Sequence, residues 1–548
     1  MKRNRQSRDE SASGRPLRIA LLAGGAILCA IVGWNLGGHV SHPGRDAAPR
    51  DHPRPRAEHP QRATAARTTA ASKSQQAAPS PKNAESGEAV LRFASDDAMR
   101  RFLANPPAGI RILGSEPRLR ALRVGFSDPK ALDALRSAGD IGVEYNFVVS
   151  VPEIPDPEKI ASLGSGAPFG GGALAWLGAS GRSPTWGAGV KVAVLDSGIQ
   201  AHASLKGVSI RSIDLVGGAS SGSYSGHATA VASLLAGAGD IMGVAPGVEI
   251  FDLRVLDASG TGDSFTLASA ILRAADMGAQ IISLSLGTYG DSGLVRDAIN
   301  YALGRNIAIV AAAGNDGFSN LTYPARYPGV IAVGSIDATG IAAPFSNTGK
   351  TLGIVAPGTS ITAAWLNDGS INFSGTSASV PFVSGAIAYI LAEQRYLSAT
   401  AAASLVLQNA NDAGPPGNDP SYGGGMLDLG RLSERQTPGI HDLAIASHWV
   451  APSDTAAGDS VPVLVTVQNR GTVAASYAVL DVTDGRSSDR FTIPNLAPGA
   501  ISTHIFHLRT ATSEGGAEAF VRSSVTQKGA TDVRPTNNYR VSVLVPSP

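Results

Sequence analysis

Cysteine is all but missing: Cys29 is the single one in 548 residues, so no internal disulfide framework can form. Everything beyond it is thiol-free and can fold in an oxidising compartment without mispairing. Net charge is nearly missing as well. Lys and Arg number 45 against 44 Asp and Glu, and the resulting +1 gives no reason to expect a nucleic-acid partner. Residues 41–87 lack large apolar side chains and are rich in Pro, Ala, Arg, Ser and Gln. Such a segment cannot bury enough surface to offset its ordering entropy, so it reads as a disordered linker. A basic nucleic-acid arm ranks below that reading, because Asp46, Asp51, Glu58 and Glu85 dilute the charge.

Ahead of the linker, Lys2, Arg3, Arg5, Arg8, Arg15 and Arg18 precede an apolar run over residues 19–40. That run is close to the roughly 20 residues that span a bilayer. No small-x-small cleavage pattern follows it closely, so the segment reads as an uncleaved transmembrane signal anchor, with residues 1–18 a cytoplasmic tail and the rest of the chain outside the cytoplasm. Arg45, Arg50, Arg54 and Arg56 just beyond it blunt the positive-inside asymmetry.

Residues 88–151 read as β-α-β-β-α-β: strands near 89–93, 110–113, 119–126 and 143–151, one helix carrying Met99, Phe102 and Leu103, and a second carrying Leu132 and Leu135. This is the order of a ferredoxin-like α+β domain. Residues 152–172 are rich in Pro and Gly and read as an exposed connector. From 173 to 432 apolar strands (191–195, 249–256, 279–286, 307–313, 330–334) alternate with helices (227–237, 264–277, 292–303), which implies an α/β domain built on a largely parallel sheet covered by helices. Residues 441–548 show no helix period. Val461, Val463, Val465 and Val467 alternate, as do Val541, Val543 and Val545, which suggests a β-sandwich.

The chemistry gathers around the stretch from Phe373 to Pro381, where a small-residue turn runs into a long apolar helix. The Ser377 hydroxyl would stand at a helix N-terminus, where unpaired N–H groups and the dipole favour developing negative charge. Gly375 would let another backbone come close, and Pro381 is early enough for its missing N–H to cost little. A serine nucleophile needs a base, an orienting carboxylate and an oxyanion donor. Asp196 ends an apolar strand, His227 opens an apolar helix, and Asn315 follows another strand. Each alone also reads as an ordinary cap, turn or surface residue.

Taken together, these strings resemble the subtilisin-like serine proteases (peptidase family S8), with their order Asp, His, Asn, Ser; further matching strings begin at Gly243, Ile282, Tyr323, Phe345 and Val355. The resemblance implies a serine endopeptidase working through an acyl-enzyme on polypeptide substrates. Asp196, His227 and Ser377 would form the triad and Asn315 the oxyanion donor. Ser285, Leu286 and Gly287 would pair with substrate backbone and wall the specificity pocket, with Ala312, Ala313 and Gly314 opposite. It further implies that residues 88–151 are an inhibitory propeptide, making the precursor a zymogen. Residues 441–548 resemble the CARDB-type adhesion domain, whose ligand the sequence does not name. Three departures stand out: Ala228 after the His, Ala378 after the nucleophile, and a short loop from Gly237 to Met242 in place of a longer calcium-binding one, so no cofactor and no metal are expected. A different enzyme class is suggested by Gly218 to Gly222, which fits Gly-x-Ser-x-Gly. That elbow must be followed at once by a helix, and a Gly/Ser-rich segment follows instead. An inactive adhesion protein on the protease scaffold is the other alternative.

Overall fold

A computed structural model describes residues 83–137, 141–153, 155, 166–179, 183–216, 225–450, 460–509 and 519–544. The anchor at 19–40, most of the linker and the Gly218 to Gly222 string lie outside the described residues. Among the described residues no helix is long and apolar enough to cross a membrane.

The N-terminal unit comprises β1 (Ala84–Phe93), α1 (Asp96–Ala104), β2 (Ile110–Glu116), β3 (Ala121–Phe126), α2 (Pro129–Ser137) and β4 (Ile141–Ser150). Its strands pair antiparallel in the order β2-β3-β1-β4, the ferredoxin-like arrangement. Met99, Phe102, Leu132 and Leu135 are buried against Leu91, Leu122 and Val124. Leu103 faces outward at 39% exposure, so one residue of the expected helix face is wrong. Strand also begins at Ala84, inside the expected linker, because Ala84 finds a partner in Phe147 beyond a bulge.

The central unit holds β5 (Lys191–Asp196), β6 (Ser209–Asp214), α3 (His227–Ala236), β7 (Glu249–Arg254), β8 (Thr261–Asp263), α4 (Ser264–Asp276), β9 (Ile281–Leu284), α5 (Gly293–Leu303) and β10 (Ala308–Ala312). It continues through β11 (Ile331–Ile336), β12 (Leu352–Pro357), the hairpin β13 (Ile361–Ala364) and β14 (Ser370–Phe373), then α6 (Thr376–Glu393), α7 (Ala399–Gln408) and α8 (Leu429–Glu434). Seven strands form one parallel sheet in the order β12-β11-β10-β9-β5-β7-β6. From β5 the chain runs to the edge strand β6 and back to β7 on one side, then crosses to β9 and winds out to β12 on the other, so its direction switches at the β5/β9 pair. Ligands in such sheets bind beyond the carboxyl ends of the strands at that switch point, and Asp196, Ser285 and Asn315 all lie there. Helix α3 packs on α6, and α4 on α5. Helix α6 is buried through Leu391 and needs no amphipathic face, since it is covered by β9 to β12 and by α3.

The C-terminal unit is two antiparallel sheets sharing one core. One contains β15 (Leu443–Trp449), β16 (Ser460–Asn469) and β19 (Ile501–Arg509). The other contains β17 (Ala475–Thr483), β18 (Ser488–Leu496), β20 (Ala519–Gln527) and β21 (Tyr539–Leu544). Val463, Val465 and Val467 point into that core as the alternation requires. In β21 the inward residue is Ser542, between the half-buried Val541 and Val543. The reason is His448, buried between the sheets, whose two ring nitrogens meet the hydroxyls of Ser542 (3.0 Å) and Ser523 (2.6 Å). A buried polar ring had to find partners there, and it outranks apolar alternation.

Candidate active site

Three elements of the parallel sheet and two helix N-termini converge on one cleft. Asp196, the last residue of β5, is fully buried, and both its carboxylate oxygens lie 2.9 Å from Nδ1 of His227. A carboxylate on Nδ1 favours the tautomer that leaves Nε2 free to accept a proton. Nε2 is buried and has no hydrogen-bond partner among the described residues. The imidazole stands edge-on to Phe373, with ring centroids 5.3 Å apart.

Ser377 is the second residue of α6 and 1% exposed. Its hydroxyl donates to the Ser285 carbonyl at 3.2 Å, and the Ser285 hydroxyl donates back to the Ser377 carbonyl at 3.0 Å. The hydroxyl is therefore parked on the sheet and not on the imidazole. Gly375 has φ +128, and a Cβ there would stand 2.7 Å from Nδ2 of Asn315. What presses on this glycine is the Asn315 amide, in place of the approaching peptide that the sequence suggested.

Asn315 is oriented by a residue the sequence reading passed over. Thr376 donates from both its N–H and its hydroxyl to Oδ1 of Asn315, each at 2.9 Å, and its hydroxyl accepts from the Gly314 N–H at 3.2 Å. Two donors on Oδ1 settle the amide's orientation, so Nδ2 faces the cleft. The signal was adjacency: Thr376 sits between Gly375 and Ser377. Nδ2 donates at 2.9 Å to the carbonyl of Glu153, a residue of the expected connector.

The chain upstream of Glu153 runs through the cleft as a strand. Ser150 exchanges both backbone hydrogen bonds with Gly287 (3.0 and 2.9 Å), and the Val151 N–H donates to the Gly260 carbonyl at 3.0 Å. Val148, Val149 and Ser150 pair with Asp263, Gly262 and Thr261 of β8. Of the expected substrate-pairing residues, Gly287 makes the backbone pair, Ser285 is engaged with Ser377, and the Leu286 side chain is buried in the core. Ala312 and Ala313 are buried along the opposite side, at the end of β10, with Gly314 just beyond. The second wall, from Gly260 to Asp263, was not foreseen, since three residues inside a Gly/Ser turn have no pattern until a partner strand arrives.

Behind the Asp and His lies Asp252 on β7, 2% exposed. Its Oδ2 accepts from Ser212 Oγ (2.8 Å) and from the Ile199 N–H (3.2 Å), which fastens the turn that follows Asp196. Thr229 of α3 holds the same turn by accepting from the Gln200 N–H at 2.9 Å. Burial pushes the Asp252 carboxyl up to about 6. At the calcium-type loop, Ala238 bridges Met242 and donates from its N–H to the Ser204 carbonyl at 2.8 Å, so the short loop is closed on backbone. Among the described residues no group of three or more His, Cys, Asp or Glu side chains is arranged to hold a metal ion.

Comparison with known proteins places these features. Residues 187–425 match the model of the subtilase family, Peptidase S8, and residues 440–539 match the CARDB model. The chain is 32% identical over 309 residues to an alkaline protease of Alkalihalobacillus alcalophilus, covering 55% of this chain and 77% of that one. It is 38% identical over 210 residues to subtilisin Savinase of Lederbergia lenta, covering 37% and 77%. Among solved structures, the prenylagaramide maturation protease PagA matches with 32% identity and a TM-score of 0.42, over 47% of this chain and 96% of that chain.

Proposed function

The chain belongs to the subtilisin-like family of serine proteases and is a hydrolase, and on that premise we propose that it is an endopeptidase using Asp196, His227 and Ser377 as its triad. The Ser377 hydroxyl swings from the Ser285 carbonyl to Nε2 of His227, gives up its proton there and attacks the substrate carbonyl carbon. The new oxyanion is held by Nδ2 of Asn315. The imidazolium, stabilised by Asp196, returns the proton to the leaving amine, and water then clears the acyl-enzyme by the same route. A hydroxyl that is off the base before substrate binds does not exclude it as nucleophile, since such bonds tighten only in the loaded complex. Thr376 keeps the Asn315 amide aimed.

The observation that carries this reading is the Glu153 carbonyl on Asn315, at the end of an extended segment paired on both sides by the cleft. A peptide carbonyl thus sits on the very donor the chemistry requires. The same observation supports residues 88–151 as an inhibitory propeptide whose tail fills the cleft in the zymogen. Maturation would cut the bond after Glu153, leaving Ile154 as the new N-terminus. With the segment 19–40 as an anchor, that cut would also release the enzyme from the membrane.

A fluorophosphonate probe tests the catalytic reading: wild type is labelled and Ser377→Ala is not. No labelling of either favours the inactive adhesion scaffold. Terminal sequencing and cell fractionation test the maturation. Active wild type that stays full-length in the membrane fraction would sink the release step while leaving the protease intact.

A further inference from the structure

Far from the cleft, the junction between the α/β domain and the C-terminal unit forms a cavity of about 210 Å³ lined by arginines. Arg431 of α8 and Arg435 just after it enter from one side, and Arg470, just past β16, enters from the other. One acid, Glu434, shares the lining, and Arg534 already holds it.

Arg431 is 5% exposed. Its Nη1 donates to the Ala410 carbonyl at 2.7 Å, while its Nη2 has no acceptor among the described residues and lies against Gly499, where a Cβ would stand 3.4 Å from it. Gly499 sits in the turn between β18 and β19, so this guanidinium reaches across the junction. Arg470 spends Nε on the Gln468 amide oxygen at 3.1 Å and leaves both Nη groups without an acceptor among the described residues. Arg435 differs, since its Nη1 donates to the Leu432 carbonyl at 2.8 Å and its Nη2 pairs with Glu393. The neighbouring acids are committed as well. Asp428 accepts from the Arg431 N–H (2.8 Å) and from Asn411 (2.7 Å), and Asp442 accepts from Arg534 (2.7 Å) and Asn537 (2.8 Å). Burial, and then the charge of Arg470, pull the Arg431 guanidinium down to about 10, which places the two cations close together. Like charges held in a protein interior cost free energy that a counter-charge offsets.

We propose that this cavity binds a small tetrahedral oxyanion, inorganic phosphate or sulfate, between Arg431 and Arg470. A carboxylate has two oxygens and suits one guanidinium fork, whereas a tetrahedral anion has enough oxygens for two forks at once. One arginine belongs to each unit, so the bound anion ties the β-sandwich to the α/β domain. The proposal does not rest on the protease reading.

The test uses the full chain carrying Ser377→Ala, so that it stays in one piece, and follows thermal unfolding in chloride, phosphate, sulfate or acetate at equal ionic strength. Phosphate and sulfate stabilise any fold to some degree by exclusion from its surface, so the readout is the excess over the further variant Arg470→Gln. Expected is a saturable excess in Tm of about 2 °C or more in phosphate and in sulfate, as mass action gives for a ligand present above its Kd. Acetate should give none. Arg435→Gln, whose nitrogens are engaged elsewhere, should keep the excess. Arg470→Lys keeps the charge and loses the fork, so phosphate should bind it about tenfold more weakly; it replaces Arg470→Gln as the reference if circular dichroism shows that variant unfolded. Equal rises in the parent and in the Arg470 variants, or no rise in phosphate at all, overturn the site. An acetate excess equal to that in phosphate overturns the tetrahedral assignment.

Discussion

Two accessory units flank the α/β domain, and they are attached in opposite ways. The N-terminal unit meets it through main chain, through ion pairs at the rim and through an apolar patch, in which Val90, Ala121 and Val149 belong to the buried core of the α/β domain. Val148 to Val151 add a strand to the cleft, Arg118 pairs with Asp276, and Arg92 pairs with Asp297. A buried polar residue joins in: Asn146 accepts from Ser264 Oγ (3.0 Å) and from the Phe265 N–H (3.1 Å) at the start of α4. The C-terminal unit keeps an apolar core of its own and is joined through polar side chains, of which Gln468 is buried. Gln468 accepts from the Asp412 N–H at 3.0 Å and donates to the Ala410 carbonyl at 3.2 Å, and Arg534 bridges Asp442 to Glu434 of α8. A strand added to an edge can be exchanged for another strand, whereas buried side chains that satisfy one another cannot be separated without leaving orphans. The added strand can therefore be replaced by another extended chain, whereas the polar contacts of Gln468 have no such replacement.

The largest effect that breaks this contrast is chemical. Ser377→Ala should lower peptidase activity by about 10⁶, the size found when the nucleophile of a subtilisin is removed. Intact mass should then show residues 84–153 still attached. If they are lost from this variant, the departure is not self-inflicted. Next, Gln468→Leu strands the Asp412 N–H and weakens the Ala410 contact. We expect a loss of about 2 to 3 kcal/mol in denaturant unfolding, with the domain boundary unfolding first. No loss would mean that the C-terminal unit is held no more firmly than the N-terminal one.

Asp412 sharpens the comparison through pH. It is 3% exposed, its Oδ2 has no partner, and burial pushes its carboxyl up to about 6. A carboxyl raised in the folded state favours folding when protonated. The cost is absent below about pH 4, develops between pH 4 and 6, and is complete above 6. Asp412→Asn should therefore match wild type near pH 4 and be more stable by on the order of 2 kcal/mol at pH 7. An equal difference at both values would rule out titration as the cause. The smallest effect belongs to the N-terminal rim. Arg118 and Asp276 are 37% and 39% exposed, so Arg118→Ala should weaken the N-terminal unit's hold by roughly 0.2 to 1 kcal/mol, less at high salt. A larger effect that disappears at high salt would show that rim charges, and not the added strand, hold this unit.

What the sequence made legible was whatever is written locally. Helix α1 runs Asp96–Ala104 as its polar start and apolar spacing suggested, with Ser95 capping the Ala98 N–H. The residues offered for the site do meet in one cleft, because each sits at a strand or helix end whose apolar run is easy to see. Elements defined by their partners stayed hidden. Strand β6, Ser209–Asp214, alternates only weakly, and β8 is a strand only because β4 of the N-terminal unit lies against it. Thr322, packed between Gly287 and Gly314, carried no local signal of its own. Ser542 could not be turned inward without knowing that His448 waits there.

The sheet β2-β3-β1-β4-β8 takes four of its strands from one unit and its last from another. If the first four leave, as the proposed maturation requires, Thr261–Asp263 becomes an edge, and the backbone of Gly287 faces it across a slot one chain wide. The mature enzyme is then an incomplete sheet with a vacancy for a single strand. Edges of this kind accept any extended polypeptide, and proteins ordinarily blunt or cover them. Here blunting would abolish the function, so the gap must stay open and be kept from the enzyme's own kind. A frayed segment of a neighbouring copy is as good a filler as a substrate, so autolysis and transient self-association should grow with enzyme concentration once the propeptide is gone.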